Sequence, residues 1–285
     1  MKYLKFNFTI PEHLQEYFIA ELMDLDFYGF EQFDERMEAY VEQRRYNDSH
    51  REFIEQLVSI FPDVSFSEEE EIEEQNWNQT WEQSIQPQRI GRFLVKPTWS
   101  SEVASDDQIL LEIDPKMSFG TGYHPTTRLI LRELGKMPLK GKKVMDAGTG
   151  TGILAIAAIK LGAAYAIGFD TDPWSKDNAF ENTLINDVQD RIVIRFGGIE
   201  QVSPEDLFDI SLANINRNVI LEIIPFLVAH TNIGGQICIS GLLYSDEDII
   251  RAKLSDQPVN ILNVEREEEW ILFRFEKIDT ISGLS

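Results

Sequence analysis

The sequence predicts an α/β protein, a doubly wound parallel sheet preceded by a small α+β domain. Three observations carry this. From residue 90 onward, helical stretches alternate with β-branched runs; a glycine turn joins one such run to an apolar helix; and residues 1–74 follow another order, β-α-β-β-α-β. A chain of 285 residues has room for two cores, because single cores stop growing near ~250–300 residues.

Leu4, Phe6, Phe8 and Ile10 alternate with polar neighbours as a half-buried strand does. Pro11 then opens a helix with Leu14, Tyr17, Phe18 and Leu22 on one face. Phe27–Asp34 and Ala39–Tyr46 read as a strand pair, Ser49 as the cap of a helix carrying Phe53, Ile54, Leu57 and Ile60, and Val64–Ser67 as extended. That order is the ferredoxin-like α+β sandwich. The glutamate run Glu68–Glu71 reads as a solvated face. Trp77 and Trp81, at i and i+4, place a linker helix over residues 75–89, its tryptophans packing between domains. The second domain spans 90–278, with strands at Phe93–Pro97, Ile109–Ile113, Lys143–Asp146, Ala164–Asp170, Ile192–Phe196, Phe208–Ala213 and Gln236–Ser240.

Hydrophobic residues make up 43% of the chain and charged residues 26%, the balance of a globular protein. No apolar run approaches the ~20 residues of a membrane span, and the first residues alternate instead of forming a signal-peptide core, so a cytoplasmic protein with no membrane partner is expected. Cys238 is the single cysteine, which excludes an intramolecular disulfide and a cysteine-based metal cluster. Twenty-six basic against 49 acidic residues give a net charge of −23. That balance disfavours direct nucleic-acid binding and welcomes a basic protein partner.

In Val144-Met145-Asp146-Ala147-Gly148-Thr149-Gly150-Thr151-Gly152, a buried strand ends in a glycine turn and continues into the apolar helix Ile153–Ala158. Glycines let the backbone approach a ligand, and the helix N-terminus offers free N–H donors. Dinucleotide sites use G-x-G-x-x-G; the spacing here is G-x-G-x-G, with Asp146 just before it. A carboxylate there suits an ammonium and repels a pyrophosphate. S-adenosylmethionine carries an amino-acid ammonium and a sulfonium, so Asp146 can face its methionine end directly or through water, while Gly148 and Gly150 cup the nucleoside. Asp170 ends the next strand and can accept hydrogen bonds from both ribose hydroxyls. The expected fold is thus a Rossmann-like class I methyltransferase.

Several runs now resemble one family: Asp114-Pro115, Phe119-Gly120-Thr121-Gly122-Tyr123-His124-Pro125-Thr126-Thr127, the glycine turn with its helix, Lys160–Ala163, Asp170–Pro173, Ala213-Asn214-Ile215 and Ser240-Gly241. Together they look like the ribosomal protein L11 methyltransferase family, over roughly Asn76 to Lys277. The resemblance implies S-adenosylmethionine as methyl donor and a lysine ε-amine of ribosomal protein L11, or its N-terminal α-amine, as acceptor. It also implies an N-terminal domain that recognises this substrate. Thr127, Gly148, Asp170 and Asn214 are the cofactor contacts it implies, with the Phe119, Gly120, Thr121 and Gly122 loop closing over the methionine end.

Physical reading adds three expectations. Thr126 or Thr127 would cap a helix beginning near Arg128. His124 would either act as a base or fix its turn by hydrogen bonding. Asn214, ending the fourth strand, would accept hydrogen bonds from the incoming amine and aim its lone pair. Enzymes acting on amide or base nitrogens commonly carry an Asn-Pro-Pro-Tyr-like motif here; this chain has Asn214-Ile215-Asn216-Arg217, which favours a flexible amine. Thr149 and Thr151 replace the Cys and Ser of many relatives, and Asn216-Arg217-Asn218 replaces small apolar residues beside the presumed amine pocket. A related enzyme acting on another protein or small amine, and a silent binding module, are the competing readings.

Overall fold

The computed structural model describes residues 2–23, 25–27, 29–73, 85–116, 118–120 and 122–279. The chain divides into two compact units, Met1–Thr80 and Trp81–Ser285.

In the first unit the elements run β1 (Lys2–Thr9), α1 (Glu12–Met23), β2 (Gly29–Phe33), β3 (Arg36–Glu42), α2 (Asp48–Ser59) and β4 (Ser65–Glu73). The strands form an antiparallel sheet in the order β2-β3-β1-β4. Period-two alternation puts Phe6 and Phe8 of β1 with Met37, Ala39 and Val41 of β3 in a core that also takes Phe18 and Leu22 of α1 and Ile54 and Leu57 of α2. Tyr17 and Ile60, expected on the buried helix faces, are exposed. Helix α2 is capped by Asn47, not Ser49: the Asn47 side chain accepts from the Ser49 and His50 amides. The glutamate run continues β4, paired with β1 from Thr9↔Ser65 to Lys2↔Glu73, because a ladder partner overrides the weak strand preference of glutamate. The proposed linker helix over 75–89 falls mostly outside the described residues, Trp77 and Trp81 included; its end, Gln88–Ile90, is strand β5.

In the second unit, β5, β6 (Phe93–Lys96) and β7 (Ile109–Glu112) form a small sheet of their own. Then follow α3 (Pro125–Leu134), β8 (Lys143–Ala147), α4 (Ile153–Lys160), β9 (Tyr165–Asp170), α5 (Pro173–Ile185), β10 (Ile192–Phe196), β11 (Phe208–Asn214), α6 (Arg217–Ala229), β12 (Thr231–Leu243), α7 (Glu247–Ser255), β13 (Val259–Glu267) and β14 (Trp270–Lys277). The sheet order is β10-β9-β8-β11-β12-β14-β13. The first five of these strands are parallel, as expected; β14 and β13 are antiparallel, a closing hairpin that periodicity alone did not separate from the parallel run. Successive strand residues enter opposite cores: Val144, Leu212, Cys238 and Leu272 join α3 and α4 in one, and Met145, Ala213, Ile239 and Phe273 join α6 and α7 in the other. Chain order reverses between β8 and β11, and at such a switch point the carboxyl ends of the strands leave a crevice. No helix among the described residues is long and apolar enough to cross a membrane.

Candidate functional site

The crevice begins at the glycine turn. Gly148 (φ +72°) and Gly150 (φ +53°) hold left-handed backbone that side chains disfavour. A methyl on Gly148 would overlap the Ile215 γ-methyl, and one on Gly150 would overlap the Phe119 carbonyl. The turn is therefore gripped from two sides, by the loop after β11 and the loop before α3. Thr151 secures the second grip: its amide donates to the Phe119 carbonyl at 2.9 Å and its hydroxyl to the Gly120 carbonyl at 2.7 Å. Thr151 is thus the hydroxyl that holds the loop, a role that chemistry at position 151 requires and the sequence pattern did not reveal.

Asp170, at the end of β9, accepts from the Gly150 amide at 2.9 Å and from the Asp172 amide at 3.0 Å, and lines the crevice. Asp172 in turn caps α5 through the Trp174 and Ser175 amides. Asp146 departs from the direct contact allowed above. Its side chain is fully buried and absent from the crevice wall, which is formed there by Ala147, Gly148 and Gly150. One carboxylate oxygen accepts from the Thr149 hydroxyl at 2.7 Å, and the carboxylate also faces the Ala155 backbone amide in the first turn of α4. Burial pushes this carboxyl up to about 6, with the hydrogen bonds from the Thr149 hydroxyl and the Ala155 amide opposing.

The opposite wall is made of side chains. Asn214, the last residue of β11, lines the crevice at 8% exposure. Its Nδ2 donates to the Thr127 hydroxyl at 3.2 Å, while its Oδ1 is buried without a partner. Thr127 is fully buried and stands behind Asn214, off the crevice wall. Helix α3 starts earlier than expected, and neither threonine caps it: His124 is the cap, with Pro125 in the first turn. The His124 ring nitrogen Nδ1 accepts from the Thr126 amide and lies 2.7 Å from its hydroxyl, so the imidazole does fix this turn; burial, then the Arg128 charge, holds its pKa below the ordinary value. His124 also lines the crevice, edge-on to Trp270 with centroids 4.5 Å apart and 5.2 Å from the Phe119 ring. Phe119 lines the crevice and is half exposed; Gly120 touches the glycine turn without lining it, and Thr121 lies outside the described residues.

Together these residues enclose a cavity of about 640 Å³. Sequence reasoning passed over part of its lining. Gly197 and Gly198, the glycine pair just after β10, join the wall, and the Gly197 amide donates to the Asp170 carbonyl at 2.8 Å. A second glycine pair at a parallel strand end was a usable signal. Glu200 and Glu222 stand in the same wall, on a turn and a helix that carry no local motif.

Comparison with known proteins agrees with this geometry. Residues 15–278 match the family model described as Ribosomal protein L11 methyltransferase (PrmA). A ribosomal protein L11 methyltransferase of Chlorobaculum parvum is 36% identical over 274 residues, 94% of each chain. One from Bacteroides fragilis is 34% identical over 287 residues, covering 96% of this chain and 99% of its own. The crystal structure of a ribosomal protein L11 methylase from Lactobacillus delbrueckii subsp. bulgaricus superposes with a TM-score of 0.64 at 29% identity, covering 68% of this chain and all of the other. A glycine turn at the switch point, an acidic second strand end, an asparagine at the fourth and a match that runs nearly end to end have one reading: the chain belongs to the ribosomal protein L11 methyltransferase family.

Proposed function

We propose that this chain transfers methyl groups from S-adenosylmethionine to amino groups of ribosomal protein L11, chiefly lysine ε-amines. The observation that carries this reading is a buried, unpartnered acceptor in the wall of the cavity, Asn214 Oδ1. A buried acceptor without a donor is costly, so this is a place where a ligand N–H or a bridging water belongs.

The residues present fit the cofactor. Gly148 and Gly150 leave no room for side chains, so the backbone can lie against the nucleoside; Asp170 retains free lone pairs on both oxygens for the ribose; Asp146 supplies the charge that an amino-acid ammonium needs. S-adenosylmethionine, when bound, supplies a methyl group already activated on a sulfonium. What remains for the protein is mainly positioning. A lysine amine, near pKa ~10.4 in water, must reach the methyl group deprotonated, and the apolar wall of Phe119, Ile215 and Trp270 favours the neutral form by excluding water. Asn214 Oδ1 accepts one amine N–H, with the amide held by Thr127, and the lone pair is thereby aimed. No dedicated base is needed, since the proton can leave to water.

The N-terminal unit is the part that recognises the protein substrate, and the chain's charge of −23 favours a basic partner over a nucleic acid. The test is incubation with methyl-labelled S-adenosylmethionine and unmethylated ribosomal protein L11, reading label and mass. Steps of one or more methyl masses, absent with Asp170→Ala, support the reading; label on neither lysines nor the α-amine refutes it. Removing residues 1–75 should abolish transfer to the protein while cofactor binding persists, and retained transfer would refute the recognition role.

A further inference from the structure

A ladder of charged side chains in the second unit lies outside the cavity lining. Along α3, Arg128, Arg132 and Lys136 recur at i, i+4 and i+8, one face of a helix continued by its final turn. Facing them on β13, the sheet's edge strand, are Glu265 and Glu267, two residues apart and so on one strand face. Arg128 Nε donates to Glu267 Oε1 at 2.5 Å, Arg132 pairs with Oε2 of the same carboxylate, and Lys136 reaches Glu265 at 2.6 Å. Arg128 does more than pair. Its guanidinium also donates to the Tyr123 carbonyl and meets Glu268 at 3.4 Å. Arg128 and Glu267 are each about a fifth exposed, so water screens them less than an open surface pair.

Both sides of the Arg128–Glu267 rung adjoin residues of the cavity. Tyr123 immediately precedes His124, and Glu267 ends β13 just before the Glu268–Glu269 turn that delivers Trp270; Glu268 holds a φ of +54°, and the Glu269 carbonyl accepts from the Tyr244 amide at 2.8 Å. Arg128 thus bonds both segments that bring His124 and Trp270 into edge-on contact. We propose that Arg128, acting through Glu267, is a positioning residue that sets the amine-side wall of the cavity by locking the Trp270 hairpin to the His124 loop. This rests on the methyltransferase reading above. A lysine has one bond requirement inside the cavity but a whole wall to lie against, so loosening the hairpin misplaces the amine without removing a cofactor contact.

The test compares Arg128→Ala, Glu267→Ala and their double variant in the full-length chain. Kinetics with ribosomal protein L11 are measured beside S-adenosylmethionine affinity by calorimetry and hydrogen exchange of segments 119–124 and 265–270. Each single variant should lower kcat by about tenfold, with cofactor affinity changed less than about twofold. The double variant should lose no more than either single one, as for two residues acting as a unit. Exchange should quicken in both segments and stay unchanged in β8 and β9. Arg128→Lys keeps the charge but cannot make three directed contacts, so it should rescue only in part. Multiplicative losses in kcat, equal losses of cofactor affinity, or unchanged exchange at 265–270 would each overturn the proposal. Should the wild-type chain transfer no methyl to ribosomal protein L11, the functional reading fails, while the exchange data still decide whether Arg128 locks the hairpin.

Discussion

The two ends of the cavity are built by different means. At the glycine turn the wall is backbone: Gly148, Gly150, and Gly197 with Gly198, drawn together by the Asp170 carboxylate and carbonyl, all at the ends of neighbouring parallel strands. At the Asn214 end the wall is side chain: Phe119 and His124 come from the loop and cap that precede α3, and Trp270 from a terminal hairpin far away in sequence. A backbone wall tolerates almost no substitution but carries little information about what lies beyond the cofactor. A side-chain wall can be retuned residue by residue, which is what choice of acceptor requires.

If that contrast is right, substitutions at the two ends should separate affinity from turnover. The largest effect is expected from Gly150→Ala, which adds left-handed strain and a clash with the Phe119 carbonyl. Cofactor affinity should fall at least ~100-fold by calorimetry, and near-normal binding would mean the turn does not cradle the nucleoside. Asp170→Ala removes an acceptor that organises both the Gly150 and Asp172 amides, and should weaken cofactor binding by ~30–100-fold with the folded state retained by circular dichroism.

Asp146 sharpens the comparison through pH. Folding raises this carboxyl from its ordinary 3.8 to about 6, so below about pH 6 the free protein favours the neutral form, and it loses stability as pH rises from 3.8 through 6. An arriving ammonium favours the charged form. Cofactor affinity should therefore fall as pH drops below about 6, by up to tenfold per unit, and Asp146→Asn should flatten that profile; a profile flat in the unaltered protein would contradict the role. The smallest effect is at the other end. His124→Ala removes the cap of α3, worth ~1 kcal/mol, and should lower the thermal midpoint by ~2–4 °C, with cofactor affinity nearly unchanged.

The same contrast explains what the sequence disclosed. Strand Ile192–Phe196 and the run from Val144 to Ala158 were legible because the signal is local: apolar runs, a glycine spacing, a strand-end carboxylate. Asn214 was legible as a strand end, but not that Thr127 holds its amide from behind, since this hydrogen bond crosses 87 residues. The closing hairpin was missed because β13 breaks its alternation at a bulge between Ile261 and Asn263 and lies half-exposed at the sheet edge. Ser49 lost the cap of α2 to Asn47 because both side chains can cap, and only the extended backbone of Asn47 decides between them. The cap of α3 was misplaced because histidine is an unusual cap, made competent here by Thr126 and the ring packing of Trp270.

On the proposed function, one cavity holds the cofactor by backbone and aims the amine by Asn214. Asn214→Ala tests it most directly, with S-adenosylmethionine affinity and single-turnover methyl transfer to ribosomal protein L11 measured on the same preparation. Affinity should stay within ~3-fold of the unaltered protein while transfer slows ~100-fold. Transfer at the original rate, or affinity lost in step with transfer, would contradict it.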